Sequence, residues 1–125
     1  MNYDSFCNWL ELYGKAWTLR DPELLNDLFT EDAKYYEKPF SLPFDGMDSI
    51  KDYWRIVAQT QSDIRFEYKI FMVSETYGIA HWEASFVRKP NKELVKLDGI
   101  FVVNLNSENK CTLFREWWQS QKTDF

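Results

Sequence analysis

The pattern of hydrophobic and polar positions changes its period once along the chain, near residue 62. Before that point apolar residues recur every three or four positions, which is typical of amphipathic helices. After it they alternate with polar residues, which is typical of half-buried strands. The pattern therefore predicts an α+β fold, in which helices pack on one face of a strongly curved antiparallel sheet.

Three helices are predicted in the first half of the chain. The first spans about Asp4–Thr18 and carries a stripe of aromatic residues. The second begins after the N-cap Asp21, where a proline occupies the first helical position, and ends near Phe29. The third follows Gly46 and ends before Ser62. Their apolar stripes are expected to cover the concave face of the sheet.

Five strands are predicted, one of them short and four long. The short one directly follows the second helix, and turn residues separate the long ones. Residues 1–125 are expected to form a single domain, with residues 122–125 as a loose tail. The predicted strands are Ala33–Tyr36, Ile64–Met72, Ile79–Val87, Glu93–Leu105 and Cys111–Gln119.

The stretch AKYYEKPFSLPFDG, residues 33–46, contains the sharpest break in the pattern. Pro39 removes a ladder donor, and Pro43 and the turn at Gly46 are expected to keep the strand from resuming. Glu37 therefore lies where a strand ends and an aromatic-rich loop begins. We expect it either to act as a general base with a raised pKa or to pair as a solvated carboxylate with Lys34 or Lys38.

Composition excludes several classes of function. The 125 residues include 20 acidic and 15 basic side chains, a net charge of −5, which argues against nucleic-acid binding. No apolar run has transmembrane length and MNYDSF does not resemble a signal peptide, so a cytoplasmic protein without membrane contact is expected. Cys7 and Cys111 are then expected to be free thiols.

Aromatic residues make up 18% of the chain, more than a small core easily hides. This content indicates either an aromatic-lined cavity or an aromatic subunit interface. Ile100, Val102 and Trp117 fall on the outer, convex face of the sheet, which favours a homodimer through that face.

Glu116 is the second candidate carboxylate. It alternates with Phe114 and Trp118, so it is expected in the same interior, either in a pocket or in a structural salt link. If Glu37 and Glu116 share one cavity, repulsion between them would keep one protonated. His81 is the single histidine, and its alternation with Trp82 places it on the outer face. No metal site is expected.

Several segments together now suggest a family. Two N-terminal helices, LFTEDAKYY, PFDGMDSIKDYW, long hairpin strands and the closing TLFREWWQSQ resemble the nuclear transport factor 2-like superfamily, which includes SnoaL-like polyketide cyclases and ketosteroid isomerases. The resemblance covers roughly residues 6–121. It implies a cone-shaped barrel of three N-terminal helices and a bent sheet, with a homodimer as the assembly.

The resemblance to ketosteroid isomerases also implies roles for individual residues. Tyr13 falls where the isomerases have an oxyanion-donating tyrosine, and Glu37 falls where they have the proton-abstracting carboxylate. Trp54 and Trp118 fall at aromatic positions. The neutral aspartate of the isomerases has no counterpart, because that position is Phe101, whereas Asp98 alternates to the other face. Half of the oxyanion apparatus is therefore missing.

A second comparison within the superfamily fails in a similar way. Enzymes like limonene-epoxide hydrolase use a carboxylate on the last strand, which would be Glu116. They also need an arginine and an aspartate on an inward strand face. Here those positions look like Trp82 and Ala84, so that triad is absent.

The expected function is acid–base chemistry on a planar, mostly apolar carbonyl compound. It needs no cofactor, with Glu37 as base, Tyr13 as oxyanion donor and Glu116 as second acid or orienting group. The alternative role of Tyr13, which its place in a stripe of core aromatics favours, is that of a buried tyrosine bonded to a carbonyl or carboxylate. The alternative function is a non-catalytic ligand-binding or dimerisation module. The cavity wall is expected to comprise Trp17, Tyr35, Phe44, Trp54, Trp82, Phe86, Phe101, Phe114 and Trp118.

Overall fold

The chain begins with helix α1 (Tyr3–Thr18), which a capping box starts. The Ser5 backbone N–H donates to the side chain of Asn2 at 2.9 Å, and the Asn2 backbone N–H donates to the Ser5 hydroxyl at 2.9 Å. Helix α1 is the first element of the structure, a computed structural model that describes residues 1–123. One face of α1 is buried, as its stripe predicts: Phe6, Trp9, Leu10, Tyr13, Gly14, Ala16 and Trp17.

The second helical segment is a composite. Asp21 caps it by accepting the backbone N–H of Glu23 at 3.1 Å, as expected of an N-cap. A 3₁₀ turn, Pro22–Leu24, then continues into the single-turn helix α2 (Leu25–Leu28). The third helix, α3 (Met47–Thr60), ends directly at the first long strand. None of the helices within residues 1–123 has the length and apolarity needed to cross a bilayer.

Six strands form one sheet in the order β2-β1-β6-β5-β4-β3. The predicted α+β fold is confirmed, but the sheet is mixed, because β1 runs parallel to β6. These two strands are joined by most of the chain, so no hairpin constrains their direction. The terminal strands β2 and β3 do not pair, so the sheet is not closed into a barrel. The strands are β1 (Phe29–Tyr36), β2 (Phe44–Asp45), β3 (Gln61–Val73), β4 (Tyr77–Arg88), β5 (Glu93–Leu105) and β6 (Cys111–Thr123).

Two expectations about strand ends are wrong. The strand does resume after the break, because Phe44 pairs antiparallel with Tyr35 as part of β2. Gly46, at φ +90°, then turns the chain so that its N–H donates to the Ala33 carbonyl at 2.8 Å. At the other end, β6 continues through Lys122, which pairs with Val95, so the tail does not begin at residue 122. Residues 124 and 125 lie outside the described residues.

The inner face of the sheet carries aromatic residues in cross-strand rows. Trp82 on β4 pairs with Gly99 on β5, and Gly99 pairs with Trp118 on β6. A Cβ atom at Gly99 would lie 2.9 Å from the Trp82 ring and 2.5 Å from the Trp117 carbonyl oxygen. The glycine therefore gives the Trp82 indole room to lie against the β5 backbone.

Candidate functional site

A cavity of about 470 Å³ lies between the helices and the inner face of the sheet. A larger, shallower groove of about 1000 Å³ runs between α1 and β3, but neither Glu37 nor Glu116 lines it. Both of these carboxyl groups line the 470 Å³ cavity, which is therefore the candidate site. Its lining comprises Tyr13, Trp17, Tyr35, Glu37, Lys38, Tyr53, Trp54, Ile56, Val57, Thr60, Gln61, Trp82, Phe86, Arg88, Val95, Leu97, Glu116, Trp118, Ser120 and Lys122.

Glu116 is the deeper of the two carboxyl groups. It projects from the inner face of β6, opposite Phe101, and only 6% of its surface is exposed. Burial raises its pKa well above the ordinary value, the charge of Glu37 raises it further, and the Tyr35 hydroxyl lowers it. No ion pair involves Glu116 within residues 1–123, so the arrangement favours its neutral form.

Glu37 directly follows β1 and is half-buried. Burial raises the pKa of its carboxyl group, and the neighbouring Lys38 charge and the Tyr53 hydroxyl lower it. The Tyr53 hydroxyl donates to Glu37 Oε1 at 3.5 Å. The Trp118 Nε1–H donates to the Glu37 backbone carbonyl at 3.0 Å, which fixes the backbone at this position. Lys38 Nζ lies 5.4 Å from the centre of the Trp118 ring rather than in an ion pair with Glu37.

Three tyrosine hydroxyls accompany the carboxyl groups. Those of Tyr13 and Tyr35 lie 3.4 Å apart and are buried. Burial raises the pKa of each, and the charge of Glu116 raises both further. The pKa of Tyr53 is raised by the same two causes. All three phenols therefore keep their protons and serve as hydrogen-bond donors beside the acids.

The two carboxyl groups lie in unequal environments, which is the arrangement that lets one act as a proton acceptor and the other as a proton donor. Glu37 lies nearer the solvent and beside a cation, whereas Glu116 is enclosed by aromatic rings and phenols. When environments differ in this way, one carboxylate can accept a proton while the other, neutral group donates one.

The expected wall residues divide into two groups. Trp17, Tyr35, Trp54, Trp82, Phe86 and Trp118 line the cavity. Phe101 and Phe114 do not, because the Tyr13 ring covers both, with ring centres 5.1 Å and 5.6 Å away. They belong to the solid core and have no exposed surface. Phe44 also lies outside the cavity, where it stacks on Tyr53 at 4.5 Å.

Sequence reasoning missed several polar residues of the site, among them Tyr53 and Gln61. Tyr53 occurs in the apolar stripe of α3 and is therefore easily taken for core. Gln61 lies at the junction of α3 and β3, where neither periodic pattern assigns a face. The structure buries Gln61 to 8% exposure, and the Trp17 Nε1–H donates to its Oε1 at 2.9 Å. A polar residue between two apolar segments was the available signal.

His81 lies on the outer face of β4, as its alternation predicts. Its Nε2 is 2.9 Å from Oδ1 of Asp98, which occupies the same face of β5. Asp98 therefore points away from the cavity, and the neutral aspartate of the isomerases has no counterpart there. Glu83 is the third polar group of this cluster, whose ligand-type atoms lie within 4.8 Å of one another.

Known structures share this fold. A Δ5-3-ketosteroid isomerase from Mycobacterium sp. aligns with a TM-score of 0.82 at 14% identity, over 95% of this chain and 98% of that one. A computationally designed 17-OHP binder aligns with a TM-score of 0.82 at 13% identity, over 95% and 97% of the two chains. An epoxide hydrolase/cyclase-like enzyme of pyran ring formation in the polyether salinomycin aligns at 0.78 and 17% identity, over 90% and 88%.

Sequence comparison gives the family. No curated protein matches the chain by sequence. The profile of the SnoaL-like domain matches residues 10–113, which is most of the chain and runs from the middle of α1 to the start of β6. Glu37 lies within the matched residues, and Glu116 lies just beyond them. This protein therefore belongs to the SnoaL-like domain family, within the nuclear transport factor 2-like superfamily.

Proposed function

We propose that this protein catalyses proton transfer on a planar, mostly apolar carbonyl compound, as an isomerase or cyclase would. The observation that carries the proposal is the pairing of Glu37 and Glu116, two carboxyl groups with raised pKa values in one aromatic-walled cavity. Similar folds occur in a ketosteroid isomerase and in an epoxide hydrolase/cyclase-like enzyme, which supports this class of chemistry.

Glu37 is the base in this proposal. Its half-buried carboxylate is a stronger proton acceptor than a solvated one, because burial destabilises its charged form. The carbonyl oxygen of the substrate then gains negative charge. Neutral Glu116 and the hydroxyl pair of Tyr13 and Tyr35 supply donors to that oxygen from the buried end of the cavity.

The proposal is tested by ligand binding and turnover on a panel of planar aryl ketones and polycyclic enones. A ligand at about 100 times its dissociation constant should stabilise the fold by about 2.7 kcal/mol, which thermal unfolding detects. Glu37→Gln should keep that stabilisation and lower turnover by a factor of about 10² to 10⁴.

The matched control is Glu67→Gln, which removes an exposed carboxylate of β3 that does not line the cavity. Turnover by this variant should equal that of the wild type. Equal turnover by Glu37→Gln and the wild type would contradict the role of Glu37.

The second candidate function is ligand binding without catalysis. Phe101 stands where the isomerases have an acid, so an isomerase oxyanion site is incomplete. The designed 17-OHP binder shares the fold, which shows that this scaffold also suits pure binders. Saturable binding across the panel with no turnover of any member would favour this candidate.

We also propose a homodimer formed through the outer face of the sheet. Phe71 and Trp117 expose 57% and 44% of their surfaces. Half-buried Ile100 and Val102 on the same sheet support an apolar contact there. Light scattering should give twice the chain mass for the wild type and the single mass for Trp117→Glu. Gln59→Glu, at an exposed position of helix α3, adds the same charge away from that face and serves as the control.

A further inference from the structure

The cavity has two chemically different ends. The inward-facing residues of β6 follow one another as Glu116, Trp118, Ser120 and Lys122, and all of them line the cavity. At 3.3 Å per residue, Lys122 lies about 20 Å from Glu116 along the strand. Lys122 pairs with Val95 on β5, which in turn pairs with Phe86 on β4, so the three form one cross-strand row. One end is therefore acidic and enclosed, and the other is basic.

Gln61 presents hydrogen-bond donors at the basic end. Its Oε1 must be the atom that faces Trp17, because an indole N–H can only donate. The Nε2 group is thereby turned away from Trp17, and no acceptor contacts it within residues 1–123. The Arg20 Nη1–H donates to the Gln61 backbone carbonyl at 3.2 Å and holds the backbone. Gln61 is therefore a buried, oriented donor in the cavity wall.

Arg88 lies beside Gln61. The two are directly paired across β3 and β4, so their side chains share the inner face. The Arg88 Nε lies 3.7 Å from Oε1 of Glu93, which leaves its terminal nitrogens for another partner. Lys122 pairs with no carboxylate within residues 1–123. In a chain of net charge −5, this end of the cavity thus gathers donors and cations.

We propose that Gln61, Arg88 and Lys122 bind a carboxylate at the far end of an amphipathic substrate. The terminal nitrogens of an arginine match a carboxylate geometrically, and an amide N–H adds a directed donor. The apolar body of the substrate then lies along Trp82 and Trp118. This inference rests on the proposed function in one respect, since it places the reacting carbonyl at Glu37 and Glu116.

The probe is 6-(6-acetyl-2-naphthyl)hexanoate, with its methyl ester as the uncharged match. Its ring and chain lie between the ketone and the carboxylate, so that, with a hydrogen bond at each end, the extended molecule spans most of the distance from Glu116 to Lys122. Both compounds contain an aryl ketone with a CH₃ group beside it. If Glu37 acts as base, the C–H bond breaks and its proton moves to the carboxylate of Glu37. The electron pair of that bond forms the C=C bond of the enolate, and the π pair of the carbonyl moves to the ketone oxygen. Return of a deuteron from D₂O restores the ketone. Affinity and deuterium exchange are therefore two separate readings of one compound.

The wild type should bind the acid about tenfold more tightly than the ester, as expected for a charge-assisted hydrogen bond. Arg88→Gln should bring this ratio close to one. Gln61→Glu keeps an acceptor for Trp17 but replaces the N–H donors, so the ratio should again fall. Arg65→Gln removes an exposed arginine of β3 outside the cavity and should leave the ratio unchanged.

Equal affinity of the wild type for acid and ester overturns the carboxylate site, as does an equal loss in Arg65→Gln and Arg88→Gln. If Arg88→Gln fails to fold, Lys122→Gln takes its place, because it changes only an exposed side chain. An unchanged ratio of acid to ester affinity in both Lys122→Gln and Gln61→Glu then overturns the carboxylate site. Exchange without any acid preference overturns this inference alone. An acid preference without exchange, in wild type and Glu37→Gln alike, overturns the proposed catalysis alone.

Discussion

The burial of Glu116 bears both on the stability of the fold and on the proposed chemistry. A neutral carboxyl group is tolerated in an aromatic interior, but its ionised form lacks a cation there. Because the folded pKa is raised above the ordinary value of 4.5, the folded state binds the proton more tightly than the unfolded chain does. Glu116 therefore opposes folding once the pH exceeds its unfolded pKa.

The first prediction concerns this pH dependence. Between the unfolded and the folded pKa of Glu116, its contribution to the free energy of unfolding should fall by about 1.4 kcal/mol for each pH unit. Glu116→Gln mimics the neutral acid and should remove this slope, so the variant should gain stability relative to the wild type as the pH rises from 4.5. Urea unfolding from pH 4.5 to 8 measures the difference.

Glu67→Gln is the control for this series, because that carboxylate is exposed. It should follow the wild-type profile. A constant difference between Glu116→Gln and the wild type at every pH would show that Glu116 does not titrate with an altered pKa.

At this scale the sequence predicts much of the site. Strand alternation places Glu116 in the interior, and the break after β1 places Glu37 beside it. Which aromatic rings face the cavity is not predictable in the same way. Phe101 and Phe114 have the inward parity of wall residues, but the ring of Tyr13 covers them. That packing depends on how α1 sits on the sheet, and no periodic pattern contains this information.

Elements are joined at Gln61, where α3 ends and β3 begins. The indole of Trp17 binds its side chain, so the end of α1 is attached to this junction. Because β3 begins directly where α3 ends, no flexible loop separates them, and the direction of the helix is tied to that of the strand. The hydrogen bond therefore sets how α1 and α3 approach each other around the cavity.

The second prediction tests that link. Trp17→Phe keeps an aromatic ring but leaves the buried Gln61 Oε1 without its donor, so the free energy of unfolding should fall by about 1 to 3 kcal/mol. Tyr3→Phe also removes a polar group from an aromatic side chain, but at an exposed site, and should change it by less than about 0.5 kcal/mol. Urea unfolding compares the two, and equal effects would refute the role of the link.

A third prediction concerns the Trp82–Gly99–Trp118 row. Gly99→Ala puts a methyl group 2.5 Å from the Trp117 carbonyl oxygen, and backbone cannot give way cheaply. The fold should lose about 1 to 3 kcal/mol. Because Trp82 and Trp118 line the cavity, ligand affinity should fall as well. Ser85→Ala, on the outer face of β4, should alter neither the free energy of unfolding nor the ligand affinity. Equal losses in Gly99→Ala and Ser85→Ala would contradict the prediction.

Helices were easier to predict than the connections within the sheet. The apolar stripes of α1 and α3 and the N-cap at Asp21 are local, and the structure confirms them. The parallel pairing of β1 with β6 joins residues some 80 positions apart, beyond the reach of any local pattern. A register shift between Ile70 and Met72 likewise turns Met72 outward, to 44% exposure, although simple alternation places it inside.

Opening of the whole molecule can be followed through its two thiols. Cys111 is fully buried at the start of β6, next to Phe29 in the parallel pair, and burial raises the pKa of its thiol. Cys7 is half-buried near the surface of α1, with its Sγ 3.3 Å from the Tyr68 hydroxyl. Thiolates are the reactive form, so the two should differ strongly in reactivity.

The fourth prediction follows from this difference. Under native conditions an aromatic disulfide reagent should modify Cys7 and leave Cys111 unmodified, and both should react in urea. Because β6 is a central strand, the rate at Cys111 should follow the free energy of global unfolding. Cys7→Ser should show no native reaction. Rapid native modification of Cys111 would mean that the β1–β6 pair opens locally.

The bond between the Trp118 indole and the Glu37 carbonyl has a consequence for how this protein could evolve. It holds position 37 through the main chain, so this bond does not depend on which side chain occupies that position. A mutation at codon 37 can exchange a carboxylate for another functional group without dismantling its support. The fold can therefore be retained while the functional group at position 37 changes, so a single substitution there can alter the chemistry of the site without unfolding the protein.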